Sequence, residues 1–181
     1  MDLLTIYNQA KTLPEYEELI GDQLPLYKLH FKKAKVPDTA QEWPTLKILV
    51  ITMPQCGDSI SIIPVLHKYF ETTPTEIRIV LREEYPQLMD QFLTNGARSV
   101  PVVIVLDKKG MFVTRFGPRP AAAQNIFEAH RQSIMNGSVD KQEVSKKIRT
   151  FYAKDQGKTI IADFLNTLKQ ALTEVNEVDF P

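Results

Sequence analysis

The sequence has 181 residues, of which 43% are hydrophobic and 24% are charged, and its 22 basic and 22 acidic side chains give a formal net charge of zero. Such a chain can bury a sizeable core, most simply as one domain with elaborations. The lack of net charge gives no general reason to expect nucleic acid or an anionic membrane as a partner. No apolar run approaches the ~18 residues of a membrane helix and no signal-like segment opens the chain, so we expect a soluble, cytoplasmic protein.

The first forty residues favour α-helices. Pro14, which is followed by acidic residues, is typical of a first helical turn, where the missing N–H of proline costs no hydrogen bond. Before it, four apolar residues recur at the spacing of one helix face: Leu3, Ile6, Tyr7 and Ala10.

A strand, a helix and a second strand follow. L-K-I-L-V-I-T, residues 46–52, is an almost continuous apolar run rich in β-branched residues, which is typical of a strand buried on both faces. A helix is predicted from about Cys56 to Phe70, with a kink at Pro64. Residues 76–82 predict the second strand. Because crossovers of this kind are right-handed, the two strands are expected to be parallel.

The next elements are a short helix, a hairpin and further helices. P-Q-L-M-D-Q-F-L-T-N-G, residues 86–96, predicts a short helix with Gly96 as its C-terminal stop. Residues 100–107 and 111–117, joined by K-K-G, predict an antiparallel hairpin, so the whole sheet is expected to be mixed. Three helical patterns follow Pro120.

The domain organisation follows from this order of elements. No repeat or low-complexity tract divides the chain. We expect a single compact domain with residues 1–44 as an N-terminal helical extension, residues 45–130 as the core and residues 131–181 as a C-terminal helical extension.

Cys56 is the only cysteine, and it stands where the first strand gives way to the helix. A single cysteine cannot form an internal disulfide, and most unpaired thiols are small buried hydrophobes. At the first turn of a helix, free N–H groups and the positive end of the helix dipole can instead lower the thiol pKa. The three histidines are scattered singly, so we predict no metal site and no cofactor.

The motifs around Cys56 resemble those of the thioredoxin-like superfamily over about residues 45–130. The strand runs straight into C-G-D-S at the helix start, where thioredoxins have Cys-x-x-Cys, and Pro64 follows Cys56 by eight residues, as their kinking proline does. S-V-P-V-V, residues 99–103, is similar to their cis-proline segment, and a hairpin and a helix close the unit. Within the superfamily the chain looks most like a bacterial monothiol subgroup with CGDS- or CGDA-like sites.

This resemblance implies both a fold and a geometry for the site. The fold is an α/β, thioredoxin-like three-layer α/β/α sandwich with a mixed four-stranded sheet and extra N- and C-terminal helices. Pro101 would be cis, which would place a residue without an N–H against the sulfur and leave the backbone of Val100 free to pair with an extended substrate. Gly57 would let a partner's backbone come close.

Some positions depart from the thioredoxin pattern. Ser59 replaces the resolving cysteine, so the chain cannot release a mixed disulfide by internal attack, although the hydroxyl could donate a hydrogen bond to the Cys56 thiolate. Gln55 replaces the usual tryptophan, and Val50 stands where thioredoxins keep a buried acid. Asp58 would oppose ionisation of the thiol if it faced the sulfur, so the sign of the pKa shift stays open.

Two functions fit these residues. In the first, the protein exchanges disulfides with protein or low-molecular-weight thiols, and Cys56, Ser59 and Pro101 are its catalytic residues. In the second, it is a non-catalytic module that holds a partner in the cis-proline groove. The guanidinium of Arg119, like that of Arg98, suits an anionic group near the site or a structural role at a sheet end. The candidate substrate-binding residues are Gln55, Gly57, Asp58, Val100 and Arg119.

Overall fold

The computed structural model describes residues 2–38 and 43–178, with the backbone alone for residues 175–178. Eight α-helices and four strands occur in this part of the chain. In chain order they are α1 (Leu3–Gln9), α2 (Leu13–Leu19), α3 (Leu24–Lys33), β1 (Lys47–Thr52), α4 (Gly57–Phe70), β2 (Glu76–Leu81), α5 (Pro86–Met89), β3 (Val102–Leu106), β4 (Phe112–Phe116), α6 (Ala121–Met135), α7 (Lys141–Asp155) and α8 (Lys158–Val178).

The four strands form one mixed sheet in the order β2-β1-β3-β4. β1 pairs with β2 in parallel and with β3 antiparallel, and β3 pairs with β4 as the predicted hairpin. The α/β class and the mixed four-stranded sheet with flanking helices are therefore confirmed. None of the helices in the described part of the chain is long and apolar enough to span a lipid bilayer.

Both faces of β1 are buried, as its continuous apolar run predicts. Ile48 and Val50 point into a core formed with α2, α3, α4 and the C-terminal helices. Leu49 and Ile51 point into a second core on the other face, which includes residues of α1 and α5. The sheet is thus the middle layer of three, because successive side chains of a strand alternate between its faces.

The N-terminal helices hold to the sheet at its β2 edge. Lys11, between α1 and α2, exchanges two backbone hydrogen bonds with Ile79, at 2.9 and 2.8 Å. α2 begins with a capping box in which Thr12 and Glu15 satisfy each other's backbone N–H groups. The edge of β2 is therefore covered by the chain's own extension.

The predicted helix over residues 86–96 is wrong beyond its first turn. α5 ends at Met89, and Asn95 and Gly96 form a two-residue turn with φ values of 49° and 76° between Thr94 and Ala97, which exchange backbone hydrogen bonds. Asn-Gly is the strongest short signal for such a turn, and here it decides the local structure. Gly96 is a turn residue and not a helix stop.

The strand predicted from residue 100 begins two residues later. β3 starts at Val102 because Pro101 has no N–H to give to a ladder. The consequence is that the segment before β3 stays outside the sheet, at the end where α4 begins.

The C-terminal helices pack on the same side of the sheet as α4. α8 places Phe164 edge-on to Phe116 of β4 and to Phe70 of α4, with ring centroids 5.8 and 5.9 Å apart. α7 ends at Asp155, and the next residue, Gln156, caps it with a φ of 56° that reverses the chain into α8. This packing brings α7 beside the first turn of α4.

Candidate functional site

Cys56 lies at the junction between β1 and α4. Its backbone is extended, with φ −79° and ψ 111°, and its carbonyl accepts the first helical hydrogen bond, from the N–H of Ile60 at 3.0 Å. The turn before it closes by a 3.1 Å bond from the N–H of Cys56 to the carbonyl of Met53. Cys56 is therefore the N-cap residue of a 14-residue helix, and its half-buried side chain lies beside that helix's free N–H groups.

The segment predicted to face the thiol does so. The Val100–Pro101 peptide bond is cis, and the thiol of Cys56 donates to the carbonyl oxygen of Val100 at 3.4 Å. No acceptor in the described part of the chain takes the N–H of Val100, which leaves it free for another molecule. The fold thus brings Cys56 against Val100 and Pro101, which lie more than forty residues later in the sequence.

Gly117 supports this segment from behind. The Gly117–Pro118 bond is also cis, and Gly117 has a φ of 111°. A Cβ atom at Gly117 would lie 2.4 Å from the carbonyl oxygen of Pro101. This contact could not be predicted from the sequence, because only the folded chain brings positions 101 and 117 together.

Ser59 is fully buried one helical turn after the thiol, in the place of a resolving cysteine. Its Oγ atom accepts a hydrogen bond of 2.6 Å from Oγ1 of Thr52, the last residue of β1. Because Thr52 supplies the proton of that bond, the hydroxyl proton of Ser59 is available to the sulfur. Val50 is buried in the sheet, so the polar group behind the thiol is a pair of hydroxyls and not a carboxylate.

Burial raises the pKa of the Cys56 thiol above its ordinary value and is the largest influence on it. Hydrogen bonds from the side chain and backbone of Ser59 and from the backbone of Asp58 lower the pKa, whereas the charge of Asp58 raises it. The net pKa shift of Cys56, whose direction the sequence left open, is therefore upward. At neutral pH, Cys56 is mainly a thiol, which agrees with its donating to Val100.

Asp58 turns away from bulk water into a network of three side chains. Its two carboxylate oxygens receive Nε and Nη2 of Arg119 at 3.0 and 2.9 Å, and Oδ1 also accepts from the Tyr152 hydroxyl at 2.9 Å. The pKa of Asp58 is raised above its ordinary value because burial is the largest influence on it, and Arg119 and the tyrosine hydroxyl only partly offset that rise. The bidentate contact is that of a carboxylate with a guanidinium fork, so Asp58 is charged but neutralised locally.

The two arginines considered as anion clamps both have intramolecular partners. Arg119 is shared by Asp58 and, through Nη1, Gln124 at 3.2 Å, and its guanidinium lies 4.8 Å from the ring centroid of Phe127. Arg98 is held by both oxygens of Asp90 at 2.7 Å on the surface. Arg119 belongs to the site, but its fork is occupied.

A cavity of about 170 Å³ opens beside the first turn of α4. The start of α4 contributes Gln55, Gly57 and Asp58, and α7 contributes Ser145, Arg149 and Tyr152. A Cβ atom built on Gly57 would meet nothing within 4 Å, so space is open there. Sequence reasoning missed the residues of α7, although their spacing, at positions 145, 149 and 152, places them on one helix face.

Metal chemistry has no support in the residues described. No group of three or more histidine, cysteine, aspartate or glutamate side chains in that part of the chain is arranged to hold an ion. His30 contacts Ser61 at 3.3 Å, the His67 ring lies 4.8 Å from that of Phe31, and His130 contacts the carbonyl of Ile126 at 2.8 Å. The chemistry of the site therefore centres on the sulfur and on hydroxyl, guanidinium and backbone groups.

Comparison with known proteins agrees with the fold. A family model described as thioredoxin matches residues 25–133, which is more than half of the chain. No curated protein matches the sequence. A crystal structure of a protein of unknown function from Pseudomonas aeruginosa is 17% identical with a TM-score of 0.68, over 94% of this chain and 99% of that one. An HIV epitope scaffold is 14% identical with a TM-score of 0.66, over 92% and 99%. At these identities the structural likeness shows the fold alone.

Proposed function

The chain belongs to the thioredoxin family, and from that premise we propose that Cys56 carries out monothiol–disulfide exchange with protein or low-molecular-weight disulfides. The Cys56 thiolate attacks one sulfur of a substrate disulfide, a bond forms between the two sulfurs, and the other substrate sulfur leaves as a thiolate that takes a proton from water. A second, external thiol then attacks the mixed disulfide and restores Cys56, because Ser59 cannot do so.

One observation carries this proposal: the thiol of Cys56 lies 3.4 Å from the carbonyl oxygen of Val100, next to the cis bond of Pro101. An extended substrate that paired with the free N–H of Val100 would bring its own sulfur to Cys56. Pro101 contributes no N–H of its own, so it does not compete for the sulfur.

Ser59 is proposed to stabilise the thiolate by its hydroxyl proton. The Thr52 hydroxyl fixes the oxygen of Ser59 at 2.6 Å, so the donor is held in place before the thiol ionises. Hydrogen bonds to an anion are stronger than those between neutral groups. Because burial leaves the thiol pKa raised, the thiolate is a minor species at neutral pH, but a thiolate of higher pKa is intrinsically more nucleophilic.

The setting proposed for this reaction is a reducing compartment, the cytoplasm, where an unpaired thiol persists. The assignment to a bacterial monothiol subgroup with CGDS- or CGDA-like sites stays a prediction. It rests on the C-G-D-S motif and on the absence of a second cysteine.

The experiment is to follow mixed-disulfide formation between the protein and hydroxyethyl disulfide by intact mass spectrometry. The wild type is expected to gain one adduct, which a small thiol removes, and Cys56→Ser to gain none. Ser59→Ala should react more slowly at neutral pH. Ser61→Ala is the matched control, since this buried serine of the same helix bonds to the carbonyl of Gly57. Equal slowing in both serine variants would remove Ser59 from the mechanism.

The raised pKa of Cys56 favours a second candidate function, a module that binds a partner in the cis-proline groove without exchange. In that case the neutral thiol is a packing group, and its hydrogen bond to Val100 is structural. The test is whether each variant still binds a purified partner. Binding that survives Cys56→Ser but is abolished by Pro101→Ala would favour this module over the exchange reaction.

A further inference from the structure

A cavity lies beside the first turn of α4, and Cys56 itself does not line it. The two sequence neighbours of Cys56, Gln55 and Gly57, both line it. Its volume of about 170 Å³ is well below the roughly 300–1,000 Å³ of pockets that enclose a whole drug-sized ligand. The size suits one polar group of a substrate whose remaining atoms lie outside.

The charge of this cavity is positive. Asp58 and Arg119 cancel each other, because both carboxylate oxygens are taken by the guanidinium. Arg149, an exposed residue of α7, has neither an ion pair nor a hydrogen bond within the described residues. One uncompensated guanidinium therefore remains at the rim.

The other polar groups at the rim can act as hydrogen-bond donors. The Ser145 hydroxyl and the Gln55 amide lack intramolecular partners in the part of the chain that is described. Ser145 and Arg149 lie four residues apart on α7, so they share a helix face. Tyr152, on the same face, fixes that face against α4 through its 2.9 Å bond to Asp58.

We propose that this cavity is a subsite for a carboxylate carried by the thiol or disulfide that reacts with Cys56. Arg149 binds the carboxylate, with Ser145 and Gln55 as further donors, because a guanidinium fork matches the two oxygens of that group. The inference rests on the proposed exchange at Cys56 and names its substrate class: small thiols or peptides with an anionic group a few bonds from the sulfur.

The exchange itself is unchanged by this subsite. The Cys56 thiolate displaces one half of the disulfide as a thiolate, and the half that carries the bound carboxylate stays attached through the new sulfur–sulfur bond. No oxidant beyond the disulfide is needed, because the two electrons go to the departing sulfur. Arg149 is therefore a specificity residue that touches the substrate away from the reacting atoms.

The test compares three disulfides that share a two-carbon spacer and differ in charge: dithiodipropionate, hydroxyethyl disulfide and cystamine. Each rate of mixed-disulfide formation with the folded wild type is divided by the rate of the same disulfide with the urea-unfolded protein, because the leaving thiols differ in intrinsic reactivity. These normalised rates are expected to fall in that order, and the preference for the anion to shrink as salt is added. In Arg149→Gln the ratio of the dithiodipropionate rate to the hydroxyethyl disulfide rate should fall about threefold to fivefold, as expected for one exposed charge pair.

Lys154→Gln is the matched control, because it removes one exposed positive charge from the same helix outside the cavity. In this variant the ratio of the dithiodipropionate rate to the hydroxyethyl disulfide rate should equal that of the wild type. If the normalised rates of the three disulfides are equal, or if both variants lower the ratio equally, the subsite is wrong while the exchange at Cys56 stands. If the folded protein reacts with none of them, the exchange is wrong and the subsite falls with it.

Discussion

The Tyr152 hydroxyl donates a 2.9 Å hydrogen bond to Oδ1 of Asp58, a residue 94 positions earlier in the chain. Tyr152 lies in α7, which belongs to the C-terminal helices, and Asp58 lies in the first turn of α4, two residues after the thiol. The C-terminal helices therefore contribute directly to the environment of Cys56, and their role is not only to cover the sheet.

Tyr152→Phe should lower the free energy of unfolding by about 1–2 kcal/mol, because it removes a hydrogen bond to a charged group that is largely buried. Tyr27→Phe is the control, since the hydroxyl of this equally buried tyrosine has no hydrogen-bond partner among the described residues. Removing this hydroxyl should leave the free energy of unfolding unchanged or raise it. Urea denaturation measures both, and an equal loss in the two variants would mean that the Tyr152 bond contributes nothing specific.

Arg119→Gln should destabilise the protein by about 3 kcal/mol, because it leaves the charge of Asp58, whose side chain is 12% exposed, without its partner. It should also raise the pKa of Cys56 further, since the unpaired negative charge would then oppose the thiolate more strongly. Asp58→Asn in the same chain should reverse most of both effects.

The control for this prediction is Arg98→Gln, whose bidentate partner Asp90 is exposed. Exposed pairs are screened by water and salt, so this variant should leave stability and thiol reactivity close to those of the wild type. Comparable losses at both arginines would show that burial of the Asp58–Arg119 pair has no special effect.

The pH dependence of Cys56 follows from the sign of its pKa shift. Because the folded-state pKa lies above the unfolded-state value, the folded protein holds the proton more tightly. The resulting stability is complete below the unfolded-state pKa and is lost as the pH rises through the folded-state pKa. The wild type should therefore lose stability relative to Cys56→Ser over that alkaline range, measured by urea denaturation as a function of pH.

Ser59→Ala should raise the pKa of Cys56 above that of the wild type, because the side-chain hydrogen bond of Ser59, which lowers it, is lost. The rate of alkylation by iodoacetamide against pH measures this midpoint. A midpoint that does not move, or that moves downward, would contradict the assigned hydrogen bond.

Gly117→Ala should disturb the segment that faces the thiol. The added Cβ would lie 2.4 Å from the carbonyl of Pro101, at a φ of 111° that side chains rarely adopt, for a cost of about 2–3 kcal/mol. It should also slow the reaction of Cys56. At Gly137, with a φ of 75° and nothing within 4 Å, alanine should cost only about 1 kcal/mol and leave the thiol unchanged.

Much of the fold could be predicted from the sequence because its signals are local and strong. The apolar run of β1 and the tight K-K-G connection fix buried and paired strands, and the resemblance around Cys56 and Pro101 predicted their juxtaposition. The stretch over residues 86–96 misled the helix prediction because the turn-forming Asn95–Gly96 pair outweighs a weak helical pattern.

The site was less predictable where distant segments meet. The sequence left open whether Asp58 faces the sulfur, and its actual partners, Arg119 and Tyr152, lie 61 and 94 residues away. The spacing of Arg149 and Tyr152 places them on one helix face, but no local pattern places that face beside Asp58. The direction of the pKa shift of the thiol likewise depends on burial, which is a property of the folded chain. It therefore stayed open until the packing around Cys56 was known.

The central claim is that Cys56 reacts with disulfides in the folded protein. The direct measurement is its rate of mixed-disulfide formation with hydroxyethyl disulfide at slightly alkaline pH, in increasing urea below the unfolding transition. If the site is open in the native state, the rate of mixed-disulfide formation should hardly change with urea, and Ser59→Ala should react more slowly than the wild type. A rate that climbs in step with the unfolded fraction would show that Cys56 is reached only by unfolding, and would contradict the exchange function.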